Sequence, residues 1–419
     1  MHTLKFIKII IMKILLALLL LIPSFSWGEA YRITNPGVIF ISQDQLKLNI
    51  QKSGSSYDAC KNEKNTLLEF IDLKVSKDKR GAEMGDVIRL KLNPLLSKYC
   101  SFLISEINQE NEKMLSIKEE LIEFYIRLSN SGFLLGWHKD SNDSDHAYAT
   151  SISVVPIIFI YSQMKKYFSK DEQKLIEKMF SGLIKKNDYN LNPSSVGENS
   201  SYANHGFYTN NVKLLWSIVI DDGKMYNSSV TYFLKQMKLN KTKSGLFKFD
   251  SKRGECALHY NLHGLSPVMS TLWNLNLQDL NLYNTKINGT HSMDEIINVI
   301  IDATENPLIL INENKRQGYN QSGRKTCASN TDVIKVGKYE IRLPYESTLW
   351  FAPYFALSGN EKIKEKFQNS YLLSKYYYDG HTDSTFISYF HPFIYLDPKS
   401  NGPVNFDTYS KISLDDLEF

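Results

Sequence analysis

Helical periodicity is the feature that most constrains the fold of this chain. Along most of its length, apolar residues recur at intervals of three and four with charged residues between them, which is the pattern of an amphipathic helix. The helices predicted in this way are Met114–Leu128, Ile152–Phe168, Asp171–Ile184, Asn211–Ile220, Met225–Met237, Ala257–Leu275, Met293–Ala303 and Lys362–Tyr377. Their lengths, roughly 10–20 residues, are those of ordinary globular helices.

Polar turn clusters separate these helices at Asn187–Ser201, Asn240–Gly245 and Asn312–Gly323. Helices of this length joined by such loops pack side by side as antiparallel hairpins. The chain has no repeat of fixed period and no low-complexity linker. The sequence therefore predicts one compact all-α domain.

Strand patterns are weak and scattered, near the two ends of the chain. They lie at Val38–Ile41, Val333–Arg342 and Phe386–Ile394. We expect residues 31–60 and 380–419 to form extended or irregular segments that cover the helical domain.

The N-terminus has the three regions of a secretory signal peptide. Three lysines precede the apolar run Ile14–Ile22, and small and polar residues follow it up to Ala30. Residues 1–30 are thus predicted to be a signal peptide, and residues 31–419 a single periplasmic domain. The alternative is an N-terminal membrane anchor, for which the apolar run is short.

After this segment, no stretch approaches the roughly 20 apolar residues of a membrane helix. The longest candidate, Ile152–Tyr161, is short and contains Pro156. The chain has 49 basic and 45 acidic residues, of which three Lys and one Glu lie in residues 1–30. The remaining residues therefore include 46 basic and 44 acidic side chains, a net charge of +2. Nothing in this balance requires nucleic acid, and an anionic ligand would need a local basic cleft. We expect a soluble monomer without stable membrane insertion.

The four cysteines are Cys60, Cys100, Cys256 and Cys327. Export permits disulfides, and Cys60 with Cys100 is the predicted pair because both lie in the N-terminal part. Four free, buried thiols are the alternative. Since no Cys-x-x-Cys pair occurs, neither a zinc ribbon nor a thioredoxin-like motif is supported.

Two segments carry candidate chemistry, of which the first is Ser201–Asn211. It places Asn204 and His205 after a polar loop and just before an apolar helix. Asn204 could be a helix N-cap with a packed histidine beside it, or both residues could contact a ligand. This segment alone does not decide between the two interpretations.

The second segment is Gly245–His263. Asp250 or Ser251 could cap a helix here. Arg253 and Tyr260 are seven residues apart, so they would lie on one side of that helix, two turns apart, if it begins early enough.

His259 and His263 are four residues apart and share a helix face. The zinc-protease motif needs Glu directly after the first His, and Tyr260 stands there instead. No nearby cluster of Asp, Glu or Cys completes a metal shell. We therefore predict no metal and no cofactor. The alternative to a functional role for the two histidines is that one packs inside the protein and the other orients a neighbouring side chain.

Together, the two segments resemble the mannuronate-specific alginate lyases, the polysaccharide lyases of family 5. That family carries an Asn-Asn-His-x-Tyr-Trp type segment and, further on, a Leu-Pro-Leu-Glu-x-x-Arg-Gly-x-x-Ala-Leu-His-Tyr-His type segment. Here the second reads Phe247-Lys-Phe-Asp-Ser-Lys-Arg-Gly-Glu-Cys-Ala-Leu-His-Tyr-Asn261, and its Arg-Gly-x-x-Ala-Leu-His-Tyr core is intact. Leu349–Tyr354 is similar to the family's later Trp-x-x-Pro-Tyr segment. The resemblance extends over roughly residues 60–360, which it implies are the core of the domain. It also implies an incomplete (α/α) toroid of antiparallel helical hairpins.

The chain also departs from the family pattern. Ala203 stands where the family has its first Asn, and the family's N-terminal lid loop cannot be aligned. The other departures are Phe207, Tyr208, Lys248, Phe249 and Asp250, in place of Tyr, Trp, Pro, Leu and Glu. Substrate identity is therefore implied less firmly than reaction type.

The reaction that the resemblance implies is β-elimination in a uronate polymer, an anionic polysaccharide. Loss of the C5 proton requires that the neighbouring carboxylate be neutralised in the transition state. Arg253 would supply a permanent charge and Asn204 a neutral donor. His205 would be a second positive donor when protonated or a base when neutral.

Tyr260 is implied as the residue that transfers the proton. In mannuronate, the C5 proton and C4 oxygen lie on the same side of the ring, so Tyr260 could serve both. In guluronate they lie on opposite sides, and His205 as base with Tyr260 as acid would be expected. Substrate contacts are predicted for Tyr202, His259 and Arg342.

Three functions stay open on the sequence. They are a mannuronate lyase acting on an alginate-like polymer, a lyase of the same mechanism on another uronate polymer, and a non-enzymatic periplasmic carbohydrate-binding or scaffold protein. A hydrolase would need two carboxylates flanking the bond, and no motif resembles such a pair. Convergence of Asn204, His205, Arg253 and Tyr260 would favour the two lyases.

Overall fold

The computed structural model describes residues 31–53, 67, 71, 92–136, 143–286, 290–317, 331–336, 339–344 and 350–370. Its longer helices are α1 (Gln43–Ser53), α2 (Asn93–Ile107), α3 (Asn111–Ser131), α5 (Asp143–Met164), α6 (Lys170–Asn187), α9 (Asn204–Ile220), α10 (Gly223–Leu239), α12 (Ala257–Asn276), α13 (Met293–Glu305), α14 (Leu308–Arg316) and α16 (Glu361–Asn369). Its shorter helices are α4 (Phe133–Gly136), α7 (Pro193–Val196), α8 (Glu198–Ser201), α11 (Lys248–Ser251) and α15 (Phe351–Leu357). Short 3-10 turns lie at Lys165–Tyr167, Asp188–Leu191 and Gly254–Cys256.

Helix α9 is the centre of the described fold. It packs against α5, α10 and α12. Thirteen of its 17 residues are buried, so it has almost no side that faces solvent. The chain turns back after α9 through Asp221, which is left-handed (φ 58°), and Asp222, whose side chain accepts the Met225 backbone N–H at 2.9 Å. Because this connection is so short, α9 and α10 form an antiparallel hairpin.

Each predicted helix overlaps an observed one, and most of the observed helices are longer than predicted. The prediction Ile152–Phe168 is wrong at its end, because α5 stops at Met164 and a 3-10 turn follows. The prediction Lys362–Tyr377 corresponds to α16 up to Asn369 and is wrong at Ser370, whose backbone is extended. Residues 371–377 lie outside the described residues. The turn predicted from Asn312 is wrong as far as Arg316, where α14 ends. Buried Glu313 accepts hydrogen bonds from Ser244 at 2.9 Å and Arg316 at 3.2 Å, and these contacts fix the polar stretch in helical form.

The segment 31–42 is irregular and covers α12, as expected. The Phe40 backbone N–H donates to Asn274 Oδ1 at 2.7 Å, and Trp273 Nε1 donates to the Phe40 carbonyl at 2.7 Å. The side chains of Asn274 and Trp273 thus form the hydrogen bonds with the Phe40 backbone that a neighbouring strand would form in a sheet. The strand predicted at Val38–Ile41 is therefore wrong, and so is the irregular structure predicted for Gln43–Ser53, which is helix α1.

A two-stranded antiparallel hairpin forms from β1 (Thr331–Val336) and β2 (Tyr339–Pro344). It confirms the strand pattern at Val333–Arg342, and Val333 pairs with Arg342 in its register. Strand β2 lies beside α12 and the 3-10 turn before it. The pattern at Phe386–Ile394 and the segment 380–419 lie outside the described residues.

By length and composition alone, the helical stretch Ala147–Tyr167 could cross a membrane. The sequence prediction did not indicate this, because it considered only the shorter apolar run Ile152–Tyr161. Of its most apolar window, 83% is buried inside the fold. Such burial is typical of the core helix of a globular protein, because a membrane span turns its apolar surface outward.

Cys100 on α2 and Cys256 in the 3-10 turn are both disulfide-bonded. The alternative of free thiols is therefore wrong for these two. Cys60 and Cys327 lie outside the described residues, so the predicted Cys60–Cys100 pairing stays a prediction. The same holds for the signal peptide, since residues 1–30 are not described, and for the domain boundaries.

Candidate active site

Asn204 is the first residue of helix α9 rather than its cap. The N-cap is Ala203, whose backbone is extended and whose side chain makes no capping bond. The Asn204 side chain is 1% exposed, and no described residue bonds to its Oδ1 or Nδ2. A buried amide without partners costs roughly 1–3 kcal/mol. The N-cap interpretation is therefore wrong, and the amide is one that a ligand could satisfy.

The second segment reaches the same region by a route that differs from the predicted one. The chain forms the short helix α11, then a 3-10 turn after Arg253, and α12 begins only at Ala257. The prediction that Arg253 and Tyr260 share one helix is therefore wrong. Gly254, with φ +61°, makes the turn that brings the Arg253 guanidinium to 4.7 Å from the Tyr260 ring centroid.

Asp250 connects the two segments instead of capping a helix. Its buried carboxylate accepts a hydrogen bond from Asn240 Nδ2 at 3.0 Å. Burial raises the pKa of Asp250 to about 6, while the Arg253 charge, the Asn240 bond and the backbone N–H of Asn204 act in the opposite direction. Asp250 thus lies between the start of α9 and Arg253.

Asp250→Asn is expected to change how stability depends on pH. A carboxyl whose pKa is raised by folding binds more protons in the folded state, so its contribution to stability is lost as pH rises from about 4 to 6. The unfolding free energy of the variant, relative to the original chain, should therefore increase over this window by about 2 kcal/mol. Urea unfolding at pH 4, 5, 6 and 7 measures the difference, and a difference that is constant with pH would contradict the raised pKa.

His259 and His263 lie on one face of α12, as predicted. Their rings stack at 5.4 Å, and the His259 ring is 4.7 Å from that of Tyr260. Burial, with the Arg253 charge, lowers the pKa of His259 to about 3, so this side chain is neutral at physiological pH. His259 can therefore contact a substrate only as a neutral donor or acceptor.

Tyr148 joins His263 to His205. Its hydroxyl lies 2.6 Å from His263 Nε2, and its ring stacks on that of His205 at 4.1 Å and 15°. Tyr208 lies on the other side of His263, with its hydroxyl 3.4 Å from Nδ1. Tyr148 stands in no motif, and its place opposite α9 depends on helix packing, so sequence reasoning did not find it.

These contacts form a closed ring around the candidate residues. His205 stacks on Tyr148, whose hydroxyl contacts His263, and the His263 ring stacks on that of His259. The His259 ring contacts Tyr260, and Tyr260 contacts Arg253. Asp250 interacts with both the Arg253 charge and the backbone N–H of Asn204, which precedes His205 in the chain. The four residues predicted to be catalytic therefore lie in one neighbourhood. Within it lie a cation, an amide, an imidazole and a phenol.

Of the other predicted substrate contacts, Tyr202 lies outside this ring of contacts, and Arg342 is described only for its backbone. Tyr202 is 3% exposed and packs against Tyr232 and Phe249 at centroid distances of 6.0 and 6.4 Å, with Lys235 Nζ 5.5 Å from its ring. The backbone of Arg342 lies on β2, and its side chain is outside the description. Substrate contact stays a prediction for both.

No group of three His, Cys, Asp or Glu side chains suited to a metal ion occurs in the part of the chain that the structure describes. A pocket of about 290 Å³ lies between α10, α12 and α13, with Phe233, Leu272 and Met293 in its wall. None of the candidate catalytic residues lines it, so it is separate from the candidate site.

Comparison with known proteins gives a family for the central part of the chain. Residues 120–310, which include both segments, match the sequence model of the family described as Alginate lyase. Over these residues, the chain is similar to the alginate lyase family. Among curated proteins, none matches the chain in sequence.

The fold is also that of solved alginate lyase structures. Alginate lyase A1-III from Sphingomonas species A1 superposes with a TM-score of 0.55 at 13% identity, covering 80% of this chain and 92% of that one. A Tyr-to-Phe variant of alginate lyase A1-III, complexed with tetrasaccharide, superposes with a TM-score of 0.52 at 12% identity, covering 72% and 85%. At such identities the likeness establishes the fold, and the predicted all-α toroid is confirmed.

Proposed function

We propose that this protein is a periplasmic polysaccharide lyase of the alginate lyase family that cleaves a mannuronate-containing polymer by β-elimination between C4 and C5. The observation that carries the proposal is the closed ring of contacts through Asn204, His205, Arg253 and Tyr260. A scaffold protein would not need these four side chains together. The family match and the fold also support a lyase.

Neutralisation of the uronate carboxylate is assigned to three donors. The buried Asn204 amide lacks partners among the described residues and would gain them from the carboxylate. Arg253 brings a permanent charge that can bind both carboxylate oxygens. His205 lies against the face of the Tyr148 ring, which attracts an imidazolium more strongly than a neutral imidazole. Each donor acts most strongly as charge moves onto the carboxylate in the transition state.

Proton transfer is assigned to Tyr260. Its side chain is 8% exposed, and the guanidinium of Arg253 lies against its ring, so the cation and the proton-transferring group are held together. Before catalysis, the Tyr260 hydroxyl would lose its proton to solvent. The resulting phenolate oxygen would take the C5 proton, and the phenol so formed would protonate the departing C4 oxygen, which regenerates the phenolate. This use of one residue suits mannuronate, in which both groups lie on the same side of the sugar ring.

An absorbance assay tests the proposal. Purified mature protein is incubated, with a chelator present, with polymannuronate, polyguluronate and other uronate polymers, and the ultraviolet absorbance of the new C4=C5 double bond is followed. We expect a rise on polymannuronate. A rise on another uronate polymer alone would keep β-elimination and replace the substrate, and on polyguluronate it would also make His205 the base and Tyr260 the acid. No rise on any polymer would reject the lyase in favour of a binding protein.

A further inference from the structure

Tyr148 is a buried residue beside the candidate site, and it contacts two histidines, His205 of the first segment and His263 of the second. It is 6% exposed and lies on α5, on the side that meets α9. Its ring is nearly parallel to that of His205, with 4.1 Å between centroids. A parallel stack at this distance restricts rotation of the imidazole about its bond to Cβ.

His263 fixes the other end of Tyr148. Its Nε2 lies 2.6 Å from the Tyr148 hydroxyl, and its Nδ1 lies 3.4 Å from the Tyr208 hydroxyl. One imidazole therefore joins tyrosines from α5 and α9 to α12. Since both of its nitrogens have a tyrosine partner, the His263 ring is oriented and can hold the Tyr148 ring in one plane.

We propose that Tyr148, held by His263, is a positioning residue that sets the plane of the His205 ring. The inference rests on the proposed function, in which His205 donates to the uronate carboxylate. A donor helps the transition state only when its N–H points at the oxygen that gains charge, and a misplacement of about 1 Å can cost about 100-fold in rate. Tyr148 need not touch the substrate to have this effect.

Three variants separate positioning from packing. Tyr148→Leu removes both the stack and the hydroxyl, and we expect kcat to fall about 10- to 100-fold with KM changed little. Tyr148→Phe keeps the stack, and its kcat should stay within about tenfold of the original. Tyr226→Leu is the matched control, because Tyr226 is a fully buried tyrosine on α10 that belongs to the main core. It should lower Tm and leave kcat within about twofold.

Equal effects of Tyr148→Leu and Tyr226→Leu, with Tm lowered and kcat kept in both, would overturn the proposal. A result in which Tyr148→Phe loses as much kcat as Tyr148→Leu would also contradict it, because the stack would then not be the contact that matters.

A spectroscopic measurement keeps this test independent of activity. The stacked tyrosine shifts the ring proton resonances of His205, which can be followed in protein labelled at the histidine rings and assigned with His205→Gln. Tyr148→Leu should move these resonances, and Tyr226→Leu should not. If the original protein cleaves no polymer but the resonances move as expected, the proposed function fails and the positioning role stands. If they do not move, the positioning role fails even in an active enzyme.

Discussion

Tyr260→Phe should lower kcat by about 10³-fold or more while the fold and KM stay nearly unchanged. The phenylalanine ring keeps the contacts with Arg253 at 4.7 Å and with His259 at 4.7 Å, so packing in the first turn of α12 is preserved. The hydroxyl that would carry the proton is the group removed. General acid–base transfer contributes about 10²- to 10⁴-fold, and here one residue would perform both transfers.

The measurement is the initial rate of double-bond absorbance against polymer concentration, with Tm recorded in parallel. Tyr226→Phe is the matched control, because it removes a buried tyrosine hydroxyl that bonds to no described residue. The control should keep its rate. A Tyr260→Phe protein that retains more than about one tenth of the original kcat would remove Tyr260 from the proposed mechanism.

Gly206→Ala should strongly destabilise the fold. A Cβ at this position would lie 1.7 Å from the carbonyl oxygen of Ser201 and 2.7 Å from Gln236 Nε2. The first contact is with backbone, so a side-chain rotation cannot relieve it. Gln236 also donates to that same carbonyl at 3.0 Å, which ties α10 to the start of α9. Overpacking of this kind costs typically 1–3 kcal/mol and more where backbone must move, and we expect the upper end.

Soluble yield and the urea midpoint of the purified protein measure this effect. Gly223→Ala is the matched control, since a Cβ added there, at the start of α10, would meet no described atom within 4 Å. It should change the unfolding free energy by less than about 1 kcal/mol. Equal stability of the two variants would show that the first turn of α9 can shift away from Ser201, and the precise placement of Asn204 would then need another explanation.

Helix positions followed directly from the order of residues along the chain. Burial of one apolar face imposes a repeat near 3.6 residues, so α3, α6, α10 and α13 could be predicted from spacing alone. The same local information failed where distant groups took over. The Phe40 backbone bonds to side chains of α12 rather than to a strand, and buried Glu313 holds a polar stretch in α14 as a helix.

The candidate site divides in the same way. Arg253 and Tyr260 could be named because the Arg-Gly-x-x-Ala-Leu-His-Tyr motif is a local string. Spacing suggested that one helix brings them together, whereas a turn at Gly254 does so. Their catalytic roles stay predictions until the assay is made.

The order of residues alone thus specified eight of the longer helices in approximate position, but not α1, α2 or α14. It also specified the all-α class and the types of side chain available for chemistry, because these depend on periodicity and on short motifs. Tertiary structure alone decided that Asn204 is buried without a described partner, that Asp250 joins the two segments, and that Tyr148 reaches His205 from α5. The physical reason is that burial and ring contacts arise between helices far apart in the chain, and no pattern within one helix contains them.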